Sequence, residues 1–319
     1  MIESGEAPPW RWLIGNAQQR RSAFTYWIRD TVVGLMELAL YRLFRACPID
    51  LCSWFGGAIV HVTRLKYRES EQRARKAWIA LRPQEADQAS VDKAIDRLWN
   101  CVSRTMAEFA VIDRFWAKGR ITVEGHEHLA RARAERRPIL IAGLHLGNWE
   151  VVVAAGYAYG YVGSSIYVPP ENRFEHRIAV EVRARFGAKS IAPGPSSGRD
   201  VLRALQDWGG PFVIFVDEFA RDRVQAPAFG RPLRADNNIG YIVRIAAMCD
   251  AVVIPTYCVR VGKGARFKVT ALPPLDMVRS GDRKADIIEN IARLDAIIDP
   301  IIRAHLDQWY CVLDFDFES

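Results

Sequence analysis

The sequence predicts an α/β fold: a mixed, mostly parallel sheet flanked by helices, with a helical, membrane-associating region at the N-terminus. Two textures carry that expectation. From Ile121 onward, short β-branched runs alternate with helical stretches, the pattern of strands joined by crossover helices. Before Ile121, apolar residues recur at helical spacing, as at Leu98, Val102, Met106 and Phe109. With 319 residues, half of them hydrophobic, the chain suffices for one large domain or one domain with a helical extension.

Taken in order, residues 1–24 read as irregular and basic. Residues 25–46 and 49–64 read as two helices broken at Cys47-Pro48, because proline cannot continue a helix. Helices follow at 68–81 and 90–115. The predicted strands are 121–124, 139–143, 165–168, 212–216, 252–259 and 267–271, and a last long helix covers about 284–306. The expected division is a basic, amphipathic, membrane-associating segment over 1–64 and a larger body over 65–319, its α/β core at about 121–275.

The stretch 31–63 is apolar but interrupted by Glu37, Arg42, Arg45 and Asp50. A membrane span needs about 20 uninterrupted residues. The expectation is therefore a pair of helices lying on the membrane surface, with Trp10, Trp12, Trp27 and Trp54 as interface anchors. A buried helical hairpin is the alternative. The first twenty residues lack the apolar core of a signal peptide.

Forty-four Lys and Arg oppose 37 Asp and Glu, a formal charge of +7. That balance favours anionic partners: an anionic membrane, a phosphorylated glycolipid or an acidic carrier protein. Nucleic acid is not expected, because no nucleic-acid motif accompanies the charge. The six cysteines, at 47, 52, 101, 249, 258 and 311, form no Cys-x-x-Cys. Several lie in apolar runs, like Cys249 and Cys258, and read as buried thiols of a reducing compartment.

The chemistry concentrates at 139–150. An apolar strand ends at Gly143, and His145 follows at the strand's carboxyl end, where open α/β sheets place their sites. Gly147 and Asn148 supply a turn, and Glu150 stands five residues after His145. A histidine oriented by a carboxylate is a general base. The spacing is not that of a zinc helix and no second histidine lies nearby, so neither metal nor cofactor is expected.

His-x4-Glu after a hydrophobic strand resembles the first motif of the glycerolipid acyltransferase superfamily. Downstream blocks resemble its late lipid A branch (lauroyl and myristoyl transferases), together with mycobacterial mannoside acyltransferases. Tyr167-Val168-Pro169-Pro170-Glu171-Asn172 is similar to that branch's Tyr-Arg-Pro-x-x-Asn, and Arg183-Ala184-Arg185-Phe186-Gly187 to its Arg-x-Arg-x-Gly. Asp217-Glu218 stands where the branch has Asp-Gln. Ala228-Phe229-Gly230-Arg231-Pro232 resembles its Phe-Phe-Gly-x-Pro, and Gln308-Trp309-Tyr310 its C-terminal Gln-Trp or Gln-Tyr. The likeness runs from about residue 35 to 312. The departures are Val168, Ala228, Glu218, the block 234–238 and an acidic C-terminus in place of a basic one.

The resemblance implies an O-acyltransferase at the cytoplasmic face of an inner membrane. A fatty acyl chain would move from a thioester of acyl carrier protein or coenzyme A to a hydroxyl of a membrane glycolipid, in this branch a lipid A precursor. His145 would be the base and Glu150 its orienter, with the amides of Gly147 and Asn148 as candidate oxyanion donors. No Gly-x-Ser-x-Gly elbow is present, so direct transfer is the simpler expectation. Arg183, Arg185, Asn172, Asp217 and Glu218 are candidate substrate contacts. For Asn172 a turn role is the ordinary alternative, and for the two acids a helix cap. An acyl tunnel is expected beside His145, walled by Trp149, 151–153, 139–141 and 212–216. A thioester hydrolase, another lipid acceptor, or a membrane-bound structural protein are the competing functions.

Overall fold

The computed structural model describes residues 7–192, 194, 197–207, 210–217, 219–220 and 223–316. The N-terminal third is helical. Helix α1 (Ala17–Phe24) opens with a capping box in which Asn16 and Gln19 satisfy each other's backbone amides. A π-helical turn at Thr25–Arg29 leads into α2 (Asp30–Ala46), which stops at Cys47 before Pro48. Then come α3 (Ile49–Ala58), α4 (Val60–Lys66), α5 (Arg68–Leu81) and α6 (Gln88–Glu108), the last capped by Asp87. The predicted helix 90–115 is α-helical only to Glu108 and tightens to a 3-10 turn at Phe109–Arg114.

The sheet begins with β1 (Ile121–Glu124), followed by α7 (His126–Ala134), β2 (Ile139–Gly143) and α8 (Glu150–Ala158). Next are β3 (Ser164–Ile166), α9 (Arg173–Ala184), β4 (Lys189–Ile191), α10 (Ser197–Asp207) and β5 (Phe212–Phe215). A two-strand hairpin, β6 (Phe219–Ala220) and β7 (Arg223–Val224), precedes α11 (Asn238–Cys249), β8 (Val252–Arg260), β9 (Phe267–Ala271) and α12 (Arg283–Ala304). Seven strands form one sheet in the order β1-β9-β8-β2-β5-β3-β4. Every neighbouring pair is parallel except β8 and β9, so the sheet is mixed and mostly parallel as expected.

Strand β2 lies at the centre, between β5 and β8, and all five of its residues are buried. That is why it reads as a continuous apolar run and not an alternating one. Its even residues, Leu140 and Ala142, face a core built with α5, α6, α11 and α12. Its odd residues, Ile139 and Ile141, face a second core with α8 and residues of α2, α3, α7 and α9. Strand β4 was not predicted; it is a three-residue edge strand whose exposed Lys189 and Ser190 leave no apolar pattern to read.

Helices α2 and α3 each bury one face and expose another. Helix α2 buries Gly34, Tyr41 and Phe44 and exposes Val32, Met36, Leu40 and Leu43. Gly34 is required by packing: a Cβ there would lie 2.3 Å from the ring of Phe174 on α9. Helix α3 buries Ile49, Cys52, Ser53 and Gly56 and exposes Leu51, Trp54 and Phe55. Of the four predicted anchors, Trp10 and Trp54 are exposed. Trp27 and Trp12 are half-buried, and Trp27 stacks on Trp10 and donates to the Pro8 carbonyl. No helix among the described residues is long and apolar enough to cross a membrane. No disulfide joins the cysteines; Cys258 is buried as expected and Cys249 half-buried.

Candidate active site

Chain direction places His145 at the carboxyl end of the central strand, two residues beyond Gly143. Its ring is sandwiched rather than loose. Phe215, the last residue of β5, stacks on it at 4.3 Å between centroids, and Trp149 meets it edge-on at 5.3 Å. Only 14% of the side chain is exposed.

The carboxylate at its Nδ1 is Asp217, not Glu150. Asp217 Oδ1 lies 3.0 Å from His145 Nδ1. Its Oδ2 accepts two N–H groups, from the His145 backbone at 2.8 Å and from Trp309 Nε1 at 2.7 Å. Asp217 is fully buried, and these charge-assisted bonds replace the water it has lost. The acid lies two residues past β5, the strand beside β2, so parallel pairing brings the two strand ends together. The sequence marks Asp217 as a candidate substrate contact; the fold sets its carboxylate against the His145 imidazole.

Glu150 opens α8 and pairs instead with Arg183, at 3.1 Å. Arg183 lies over the Tyr167 ring, 4.4 Å from its centroid, and its Nη1 is buried without a hydrogen-bond partner. The Tyr167 hydroxyl in turn lies 3.1 Å from Nδ1 of His176. The Tyr-x-Pro block and the Arg-x-Arg block, sixteen residues apart, therefore meet at Glu150.

Of the two amides expected to bind an oxyanion, that of Gly147 donates to the Gln308 carbonyl at 3.0 Å. Gly147 itself has φ +58°, and a Cβ there would lie 2.7 Å from the Cys258 carbonyl oxygen, so glycine is required at this turn. The Asn148 side chain donates to Glu108. Arg185 binds Tyr41 and Glu181, joining α9 to α2. Asn172 caps α9 by accepting from the Phe174 amide and donates to the Asp30 carbonyl on α2, which is the turn chemistry of its type. Glu218 lies outside the described residues.

Sequence reasoning missed the frame beneath the turn. Fully buried Glu108 accepts from both terminal nitrogens of Arg260 at 2.7 Å, from Ser53 at 2.6 Å and from Asn148 at 3.1 Å. Gln308 spans Arg260 by accepting from its amide and donating to its carbonyl, and the Tyr310 amide donates to the His145 carbonyl. The Gln-Trp-Tyr motif was the available signal, but nothing in the sequence tells what a C-terminal motif touches.

His145, Asp217 and Cys311 are the one group of metal-ligand types brought together among the described residues, with donor atoms within 4.8 Å of one another. Both Asp217 oxygens already accept N–H groups, an arrangement suited to orienting a base.

On the far side of the sheet from α11 lies an apolar slot of about 50 Å3. Ile141 of β2, Val152 and Val153 of α8 and Val213 of β5 wall it, all within the segments expected to line an acyl tunnel. Gly156, Tyr159 and His126 lie farther along it, and neither His145 nor Trp149 is in its wall, so it does not reach the imidazole beside which the tunnel is expected.

A family model for bacterial lipid A biosynthesis acyltransferases matches residues 17–314. The chain belongs to that family. It is an acyltransferase, and the family assigns it to lipid A biosynthesis. A search of curated proteins finds no match. The match reaches from α1 through the C-terminal Gln308-Trp309-Tyr310 segment, so the strap over the turn after β2 belongs to the family unit.

Proposed function

We propose that this acyltransferase moves a fatty acyl chain from a thioester of acyl carrier protein or coenzyme A to a hydroxyl of a membrane glycolipid, a lipid A precursor. His145 is the general base and Asp217 its orienter. The observation that carries this reading is the pair of bonds by which Asp217 holds His145, one to Nδ1 and one to the backbone amide. A carboxylate at Nδ1 keeps the proton there and leaves Nε2 as the basic nitrogen.

The acceptor hydroxyl gives its proton to Nε2 as its oxygen attacks the thioester carbonyl. The tetrahedral intermediate collapses by breaking the carbon–sulfur bond. The thiolate leaves without an acid, because thiols are far stronger acids than alcohols, and takes the proton from the imidazolium afterwards. Attack is direct, with no acyl-enzyme. Arg183, anchored by Glu150 on one nitrogen and unpartnered on another, is suited to a phosphate of the acceptor. The apolar slot beside β2 takes the acyl chain.

The exposed apolar side of α2 and α3 rests on the cytoplasmic face of the inner membrane, with Arg11, Arg20, Arg21, Arg29 and Arg42 facing anionic headgroups. Residues 1–64 are thus the membrane-associating segment and 65–319 the catalytic body. The test is transfer of a labelled lauroyl group from each thioester to a lipid A precursor. His145→Ala, shown folded by circular dichroism, abolishes transfer; wild-type rates in that variant sink the mechanism.

A further inference from the structure

The residue that the proposed chemistry leaves unexplained is Trp309. Its side chain is fully buried, and its indole N–H is spent on one atom, Oδ2 of Asp217. It stands on the C-terminal strap, remote in sequence from both members of the dyad. The strap is tied down around it. Leu146 and Trp309 form an antiparallel bridge, the Tyr310 amide donates to the His145 carbonyl, and the Gly147 amide donates to the Gln308 carbonyl. Phe229 and Phe315 pack on the indole at 5.7 and 5.8 Å between centroids.

We propose that Trp309 is a positioning residue of the general base: its indole N–H and the His145 backbone N–H clamp Oδ2 of Asp217, so that only Oδ1 is presented to the imidazole. This rests on the reading of His145 and Asp217 as base and orienter. One donor alone would leave the carboxylate free to rotate about its last bond and to offer either oxygen. Two donors on one oxygen define the plane of the group. The clamp also shares the negative charge, which moderates how strongly Asp217 holds a proton on the imidazole. The titratable groups that face the dyad from the strap are Cys311, whose sulfur lies within 4.8 Å of a ring nitrogen of His145 and of a carboxylate oxygen of Asp217, and Tyr310, 6.4 Å from the imidazole between centroids. Burial pushes the Tyr310 hydroxyl up, so it stays neutral across the working range.

The test deletes the N–H and keeps the shape. Trp309 is replaced by β-(3-benzothienyl)alanine, whose sulfur stands where the indole nitrogen was, and separately by Phe. Phe315→Leu is the packing control, since it loosens the same aromatic group without touching Asp217. Transfer from lauroyl-coenzyme A to a lipid A precursor is followed against pH with full-length protein in detergent, alongside thermal melts. Losing a hydrogen bond to a charged group predicts a fall of roughly ten- to a hundred-fold in kcat, with KM for the thioester unchanged. The acid limb of kcat/KM moves to higher pH in both Trp309 variants, because an unshared carboxylate favours the imidazolium. Phe315→Leu lowers the melting temperature and leaves the limb in place. A benzothienyl variant with the wild-type profile overturns the proposal, as does an equal shift in Phe315→Leu. Asp217→Asn run beside them separates the two ideas. If it is active, the dyad itself is wrong and the clamp falls with it; if it is dead while the benzothienyl variant is normal, only the clamp is wrong.

Discussion

Replacing Asp217 by Asn should be far more damaging than replacing Glu150 by Gln. The magnitude follows from where the donors sit. Two N–H groups, at 2.8 and 2.7 Å, converge on Oδ2. In Asp217→Asn only one terminal atom can still accept, and those two donors pin it at the Oδ2 position. The amide NH2 is then turned toward His145 Nδ1. An imidazole facing a donor must accept at Nδ1, so its proton moves to Nε2 and the basic nitrogen is lost. The same tautomer error in the serine-protease triad costs about 10^4 in kcat. A loss of roughly 10^3 to 10^4, or about 4–5.5 kcal/mol of barrier, is expected here. The fold should survive, because both pinning bonds remain. Glu150→Gln keeps a hydrogen bond to Arg183 and loses only a part-exposed charge pair, so kcat should stay within about ten-fold while KM for the acceptor rises. Labelled acyl transfer under single-turnover and steady-state conditions separates the two. If Glu150→Gln proves as severe as Asp217→Asn in folded protein, the orienter has been misassigned and Glu150 serves the base.

Three further outcomes can be checked. A side chain at Gly156 on α8 points into open space, since a Cβ there meets nothing within 4 Å, and the position lines the apolar slot. Gly156→Leu should therefore shift donor preference toward shorter acyl thioesters with a melting temperature within about 5 °C of wild type; an unmoved preference places the acyl chain elsewhere. Met36 is 68% exposed on the apolar side of α2. Met36→Asp with Leu43→Asp should release the protein from anionic vesicles in a flotation assay, and wild-type binding should weaken as salt rises; vesicle binding indifferent to both changes would remove α2 from the membrane. Burial first, and then Glu175 with its shared hydrogen bond, pushes Glu37 up to about 7 against the opposing pull of Lys66. A carboxyl raised in the folded state contributes stability below its ordinary value of 4.5 that is lost as pH rises to about 7. Glu37→Gln should accordingly melt higher than wild type at pH 8 and equally at pH 4; no pH-dependent difference would show that Glu37 titrates normally.

The central strand and the placing of His145 at its carboxyl end were legible because each is written locally. An apolar run with no alternation must be buried on both faces, and the residue after its glycine must emerge where neighbouring strands also end. His145 followed from that alone. The amphipathic character of α2 was legible for the same reason, since a helix repeats its faces every few residues.

The partner of the base was not legible. Glu150 was the nearest carboxylate along the chain, but it starts a helix and turns toward α9, where Arg183 meets it. Asp217 is remote in sequence and adjacent in space only because β5 pairs with β2 in parallel register, Gly143 opposite Phe215. Trp309 reaches the same carboxylate from the C-terminal strap, and Glu108 braces the turn from the end of α6. Hydrogen bonds act over about 3 Å and are blind to chain separation. Sequence determines which residue types are present and how each segment curls; only the sheet's strand order decides which of them come within that distance.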